Sequence, residues 1–133
     1  MWSEHQARLL RRHVAGERAN DVDLDWPNII EEIESVGREQ LHAVESLLLM
    51  ALIHWLKAAA WPDSRDVPHW RAEERTFRGQ ARRRFTPSMR QRLDLAGIYA
   101  DALRGLPEIS DGLPPLAVPE VCPMTLDVLL ELP

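Results

Sequence analysis

Two pairs of acidic and histidine side chains have a spacing that could hold a metal ion on a helix. Glu39 and His42 form the Glu-x-x-His arrangement of helical di-iron bundles, which need a second such pair and two further glutamates. The only near match, Asp66 with His69, falls in a predicted loop. His42 and His54 are separated by about 120° around a helix, so they do not face one way. We therefore expect no metal site and no cofactor.

Cys122 and an acidic block are the other candidates for chemistry. Cys122, the single cysteine, stands before a proline at a predicted helix start, where a thiolate nucleophile can be stabilised. No histidine lies near it in the sequence, and we interpret it as a small buried side chain. Glu31, Glu32 and Glu34 lie in the first turns of a predicted helix, where carboxylates favour the positive end of the dipole. No neighbouring signal completes a catalytic carboxylate pair, so we expect no catalytic residue. The sequence leaves enzymatic activity undecided and favours its absence.

A long helix is the element that positions most of these residues. From Trp26 onward, apolar residues recur at steps of three and four for about 35 residues. Asp25 is the predicted N-cap, Pro27 lies in the first turn, and the helix should end near Trp61. Such a helix spans roughly 50 Å, whereas a compact domain of this size is about 35–40 Å across. Either it bends near Gly37, or one end projects and packs on something else.

The remaining elements are shorter helices and an extended segment. Caps and apolar spacing predict helices over residues 3–15, 69–85, 87–104 and 126–131. Five prolines between residues 107 and 123 predict an extended strap. We therefore predict an all-α fold with a single domain over residues 1–133. It is a helical bundle of about four main helices around one long central helix, with a proline-rich C-terminal strap and a short final helix.

Charge is unevenly distributed along a chain whose net charge is −5. Residues 17–45 carry nine acids and two bases, whereas residues 65–92 carry nine bases and three acids. Four arginines share one face of the predicted helix over 69–85: Arg71, Arg75, Arg78 and Arg82. We predict that the acidic and the arginine-rich helices pair inside the chain, each exposed pair contributing about 0–1 kcal/mol. The alternative is that the arginine-rich helix binds nucleic acid, which the negative net charge disfavours.

Several features bear on where the protein acts. The longest strongly apolar run, residues 46–56, is far shorter than the roughly 20 residues of a membrane span. The N-terminus carries no apolar signal core. A single cysteine forms no internal disulfide and is compatible with a reducing compartment. We expect a soluble cytoplasmic protein that does not enter a membrane.

The middle of the long helix is apolar on every side over residues 47–53, so it should be buried on every side. Leu49, Ile53 and Leu56 form a second apolar stripe there. Two interpretations stay open, a central helix of the bundle and a dimer interface. The first function hypothesis is a protein–protein interaction module, either a homodimer or a binder of another protein. It would use this stripe and the exposed end of the long helix.

A second hypothesis assigns the protein a ligand or a reaction. Glu32, His54, Trp70 and Arg71 are candidates for lining one cleft of a ligand- or metal-binding bundle or of an enzyme. The third hypothesis is the binding of nucleic acid by the arginine-rich helix.

Three blocks of the sequence match the pattern of a known family. They are DWPNIIEEIESVG at residues 25–37, HWLK at 54–57 followed by HWR at 69–71, and CPMTL at 122–126. Together they resemble the bacterial family called domain of unknown function 29, over nearly the whole chain. Met124 stands where that family usually has tyrosine, and alanine follows the HWLK block where the family has tryptophan. The resemblance implies an all-helical fold and implies no activity.

Overall fold

The computed structural model describes residues 5–8, 10 and 24–133, and these residues form an all-α structure. The helices are α1 (Trp26–Ala60), α2 (Val67–Arg84), α3 (Leu95–Arg104) and α4 (Leu126–Leu129), with a 3₁₀ turn at Pro87–Met89. Residues 5–8 and 10 are also helical, and the rest of the helix predicted over 3–15 lies outside the described residues. The predicted all-α class and the long helix are confirmed.

The chain forms two compact units, Met1–Glu39 and Gln40–Pro133, and α1 contributes to both. In the N-terminal unit, the described core is small. Ile29 of α1 and Leu24 are each only 5% exposed and pack with Leu10. The prediction of a single domain stays a prediction.

Local hydrogen bonds account for both ends of α1. The Asp25 carboxylate accepts a hydrogen bond from the Asn28 amide, and the Asp25 carbonyl accepts one from the Ile29 amide. A side-chain oxygen at the N-cap satisfies a backbone N–H that has no partner within the helix. At the other end, the Trp61 amide closes the last turn on the Lys57 carbonyl, and a proline follows. The helix runs without interruption through Gly37, as one 35-residue element.

The core of the C-terminal unit is built on one face of α1. Steps of three and four residues bring its buried side chains into line: Leu41, Val44, Leu48, Leu52 and Leu56. The other elements supply the rest of this core: Ala81 from α2, Met89 from the 3₁₀ turn, three residues from α3 (Ile98, Tyr99 and Ala102), and Leu129 and Leu130 near the C-terminus.

Aromatic contacts fix the packing of α2 on α1. The His54 ring lies 5.5 Å from the Phe77 ring, and the Trp61 ring lies 6.5 Å from the Trp70 ring. From His54 to Trp61, which directly follows α1, the chain advances by seven residues, whereas their partners on α2 go back by seven, from Phe77 to Trp70. The two helices are therefore antiparallel. The predicted helix over 69–85 is confirmed, with a start at Val67 and a proline in its first turn.

The single helix predicted over 87–104 is wrong. The chain makes a 3₁₀ turn at Pro87–Met89, and the amides of Arg92 and Leu93 then both donate to the Met89 carbonyl. A new helix, α3, begins after Asp94, whose carboxylate accepts a hydrogen bond from the Gly97 amide at 3.1 Å. A Cβ atom at position 97 would lie 2.5 Å from this carboxylate. Glycine therefore permits the cap that starts α3 as a separate helix.

The proline-rich segment after α3 runs as the predicted extended strap across the C-terminal unit. The Leu116 amide donates to the Ala60 carbonyl at 2.9 Å, and the buried Tyr99 hydroxyl donates to the Pro119 carbonyl. Thr125 then caps α4, which is shorter than the helix predicted over 126–131. The reason is that Glu131 adopts a φ of 52°, which takes the chain out of the helical region.

Candidate interaction surface

The first half of α1 carries large apolar side chains that are exposed. We call Trp26, Ile30, Ile33 and Val36 the N-terminal apolar face; their exposed fractions are 38%, 52%, 62% and 48%. Steps of four, three and three residues confine these side chains to an arc of about 120° on one side of the helix. Neighbouring apolar side chains that stay in contact with solvent mark interaction sites more often than single ones do.

The same side of α1 is buried once the helix enters the C-terminal unit. Val44, Leu48 and Ala51 lie at the same angular positions as Trp26, Ile30 and Ile33 on a helix of 3.6 residues per turn, and each is at most 1% exposed. The two halves of this apolar stripe therefore differ in burial. The second half is buried in the core of the C-terminal unit, and the side chains of the first half are about half exposed.

Two carboxylates border the N-terminal apolar face. Each residue of a helix is rotated by about 100° from the one before it. Around the helix axis, Glu34 therefore lies about 40° beyond Ile30 at one edge of the face, and Glu32 lies about 40° beyond Val36 at the other edge. Both glutamates are exposed, and neither has a hydrogen bond or an ion pair with any residue that the structure describes. The face is therefore an apolar strip with an acidic rim.

A small depression of about 310 Å³ adjoins this strip. It is lined by Ile33 and Val36 together with Gln6 and Leu10 of the N-terminal helical residues. The Gln6 side-chain oxygen accepts a hydrogen bond from the Asp25 amide at 3.0 Å, which ties these helical residues to the start of α1.

The stripe of Leu49, Ile53 and Leu56, predicted as a possible dimer interface, has one residue in the protein's own core and two partly buried residues against it. Leu56 has no exposed surface, and Leu49 and Ile53 pack against the core cluster. The Ile53 methyl group lies 3.2 Å from where a Cβ atom of Gly105 would be, so the residue that ends α3 packs on Ile53. Leu56 thus serves the central bundle helix, and the docking of a second chain on Leu49 and Ile53 stays a prediction.

The four residues predicted to line a cleft have separate environments. The Nδ1 atom of His54 lies 2.7 Å from the Met50 carbonyl oxygen, which accepts its hydrogen bond, and its ring packs on Phe77. Trp70 packs on Trp61, and this contact lies about two helical turns from the contact of His54 with Phe77. Arg71 is exposed, and Glu32 lies in the N-terminal unit on the acidic rim. His54 and Trp70 thus serve the packing of α1 against α2. A cleft that joins the four residues stays a prediction.

Three arginines on or just after α2 bind the C-terminal segment. The Arg78 guanidinium donates to the carbonyls of Leu129 and Val128 at 2.9 and 2.8 Å and pairs with Glu74 at 3.0 Å. Two further ion pairs also join an arginine to the C-terminal segment: Arg82 with Glu131 and Arg90 with Asp127. For these arginines, the predicted pairing with the acidic long helix is therefore wrong. A guanidinium has five N–H donors and can satisfy carbonyls at a chain end as well as carboxylates.

Two further arginines, at the C-terminal end of α2, border a pocket. Arg83 and Arg84 line a pocket of about 580 Å³ with Gln80 of α2 and with Ala43, Ser46 and Leu47 of α1. Both arginines are exposed, and neither has a hydrogen-bond or ion-pair partner among residues 5–8, 10 and 24–133. We call this the arginine pocket. The guanidinium groups of Arg83 and Arg84 suit carboxylates, and Ala43 and Leu47 provide apolar lining in the same pocket.

A larger groove lies where the strap passes the end of α1. It has a volume of about 700 Å³ and is lined by Trp61 and Pro62 on one side and by Leu113 and Leu116 on the other. The Trp61 indole N–H donates to the Leu113 carbonyl at 3.0 Å, so the wall of this groove is held by the chain's own hydrogen bond.

Metal-binding and titratable side chains are the remaining candidates for chemistry. Within residues 5–8, 10 and 24–133, no group of three or more histidine, cysteine, aspartate or glutamate side chains is arranged to hold a metal ion. Cys122 is half-buried and donates to the Met124 carbonyl at 3.3 Å. Burial of the phenol is the main cause that raises the pKa of Tyr99 above its ordinary value, and the charge interaction with the nearby Cys122 raises it further. The protonated hydroxyl that results is the form that donates to the strap.

By length and composition alone, α1 would also qualify as a membrane-crossing helix. In its most apolar window of 18 residues, 39% of the residues are buried inside the protein. The core helix of a soluble protein passes the same test.

Comparisons with known proteins agree with this architecture. The chain has a TM-score of 0.70 and 29% sequence identity to the crystal structure of an alpha-helical protein of unknown function from Rhodospirillum rubrum. The match covers 98% of this chain and 85% of that one. No curated protein matches. The family described as Domain of unknown function DUF29 matches over residues 1–132. The chain therefore belongs to that family.

Proposed function

We propose that this chain is a protein–protein interaction module and that its binding surface is the N-terminal apolar face. One observation carries the proposal: four large apolar side chains on one side of α1 are between about one third and two thirds exposed. Water contact at these side chains is unfavourable by roughly 25 cal/mol per Å² of apolar surface, and a docked partner would remove it.

The setting we propose is the cytoplasm, where the half-buried Cys122 thiol stays reduced. The acidic rim supports a specific partner over nonspecific adhesion. Charges at the border of an apolar patch contribute mainly to the choice of partner and to the rate of encounter. Glu32 and Glu34 would select a partner with basic groups placed on both sides of an apolar ridge or pocket.

Photo-crosslinking tests this proposal directly. A p-benzoyl-phenylalanine at position 33 replaces an exposed side chain at the centre of the face, and one at position 31 lies on the opposite side of α1 as the matched control. We expect covalent adducts from position 33, none from position 31, and loss of the adducts when unlabelled wild-type chain competes. Equal adducts from both positions, or none from position 33, would overturn the proposal.

A further inference from the structure

We infer that the partner is a second copy of this chain, whose arginine pocket receives the N-terminal apolar face and its acidic rim. This inference rests on the function proposed above and names the occupant of that same surface. It joins two surfaces whose charged side chains are exposed and have no polar partner among the described residues.

Charge complementarity is the first argument. Glu32 and Glu34 border the apolar face, and Arg83 and Arg84 line the pocket. All four side chains are exposed, and none has a polar partner within the described part of the chain. Arginine pairs with carboxylates through two parallel hydrogen bonds, which gives such a contact a defined geometry.

The internal pairing that the sequence predicts is not made by these four residues in the part of the chain that the structure describes. Arg78 and Arg82 are occupied by the C-terminal segment, whereas Arg83 and Arg84 follow them on α2 without a partner in residues 5–8, 10 and 24–133. The basic charge left over on α2 therefore matches the acidic charge left over on the first half of α1. Two copies can make between them the match that one copy does not complete.

The apolar parts also correspond. The pocket wall of Ala43 and Leu47 lies beside the arginines, as Ile33 and Val36 lie between the glutamates. A pocket of about 580 Å³ is within the size range of about 300–1,000 Å³ that ligand pockets have. It has room for an aliphatic side chain of the partner together with a carboxylate.

Each copy carries both the face and the pocket, so a dimer with two-fold symmetry would contain the contact twice. A contact made twice by one symmetry operation closes on itself and stops at two chains. The assembly we infer is a homodimer, and its dissociation constant should rise with salt concentration because the contact includes exposed ion pairs.

Charge reversal tests the pairing in a way that separates it from misfolding. The variant Arg83→Glu/Arg84→Glu places acids opposite acids, and the variant Glu32→Arg/Glu34→Arg places bases opposite bases. We expect each variant alone to dissociate at least about tenfold more readily than the wild type, as judged by sedimentation equilibrium. Both variants change only exposed side chains.

Mixing the two variants should restore the dimer, because both contacts of the mixed pair join opposite charges. A single chain with all four substitutions should dimerise again for the same reason. Recovery in these two samples shows that the single-surface variants fold. If neither sample recovers, or if either reversal leaves the wild-type affinity unchanged, the inference is overturned.

The outcomes also separate this inference from the proposed function. Wild-type chain that remains a 15.3 kDa monomer up to about millimolar concentration overturns the second copy as partner. If position 33 then still crosslinks specifically to a different protein, the proposed function stands with another occupant. If position 33 gives no specific adduct, both fall.

Discussion

Replacing Ile33 by alanine should weaken association without affecting the fold. Ile33 is 62% exposed in the isolated chain. Full burial of such a side chain is worth about 1.5–3 kcal/mol, so covering the exposed part is worth roughly 1–2 kcal/mol. Alanine retains one carbon of the side chain, which leaves a loss of about 1 kcal/mol for each copy of the contact. A symmetric dimer loses this twice, which corresponds to about a 30-fold higher dissociation constant.

The strap provides a matched control for this substitution. Ile109 is 64% exposed, the same residue type at almost the same exposure, but it lies far along the chain in the C-terminal unit. Sedimentation equilibrium should show the weakened association for Ile33→Ala and the wild-type value for Ile109→Ala. Both variants should keep the wild-type stability within about 0.5 kcal/mol, because surface substitutions rarely do more. An equal effect of the two substitutions on association would refute the assignment of the surface.

Three further predictions concern the fold and its titration. Replacing Arg78 by alanine removes two hydrogen bonds to backbone carbonyls and a partly buried ion pair. Urea denaturation should therefore show that the free energy of unfolding falls by about 2–3 kcal/mol. Replacing Arg82 by alanine removes an exposed ion pair and should lower the free energy of unfolding by less than about 1 kcal/mol. Asp94→Ala removes the cap of α3 and should cost about 1 kcal/mol by the same assay, while Asp101→Ala in the same helix should cost less. The raised pKa of Tyr99 means that the folded state holds the phenolic proton more tightly than the unfolded state does. This stabilisation is complete below about pH 10 and is lost as the pH rises through the raised pKa, so the unfolding free energy of the wild type should fall more steeply above pH 10 than that of Tyr99→Phe. Equal slopes for the two proteins would contradict the assignment, and because the chain has one tyrosine, the absorbance of the phenolate reports this site alone.

The sequence predicts α1 well because its signals agree with one another. The cap at Asp25, the apolar period and the proline after Trp61 all point to the same boundaries, and the helix observed is Trp26–Ala60. The region 87–104 shows the opposite case. Its apolar spacing and its first proline indicate one helix, whereas the cap formed by Asp94 with Gly97 starts a new one. That cap depends on an aspartate followed by glycine three residues later, a signal that apolar periodicity does not contain.

The candidate surface is only half predictable. Apolar spacing is the same before and after residue 40 of α1, and only the segment that is apolar on every side, residues 47–53, indicates which half of the stripe the chain covers. Even there, Met50 is 37% exposed. The residue that packs on Ile53 is Gly105, the C-cap of α3, about fifty residues further along the chain. The two backbone carbonyls that Arg78 binds likewise belong to distant residues, Val128 and Leu129, which are separated from it by 50 and 51 positions in the chain. Contacts at such separations are set by tertiary packing, and local sequence patterns do not encode them.

Hydroxyl-radical footprinting as a function of protein concentration tests the central claim most directly. The N-terminal apolar face should become protected as the chain associates, with the strongest effect at Ile33, the most exposed of its four side chains. Ile109 and Val121, which are 64% and 78% exposed in the C-terminal unit, should keep their reactivity. Unchanged reactivity of Ile33 at every concentration at which the chain associates, or equal protection of Ile109, would contradict the account.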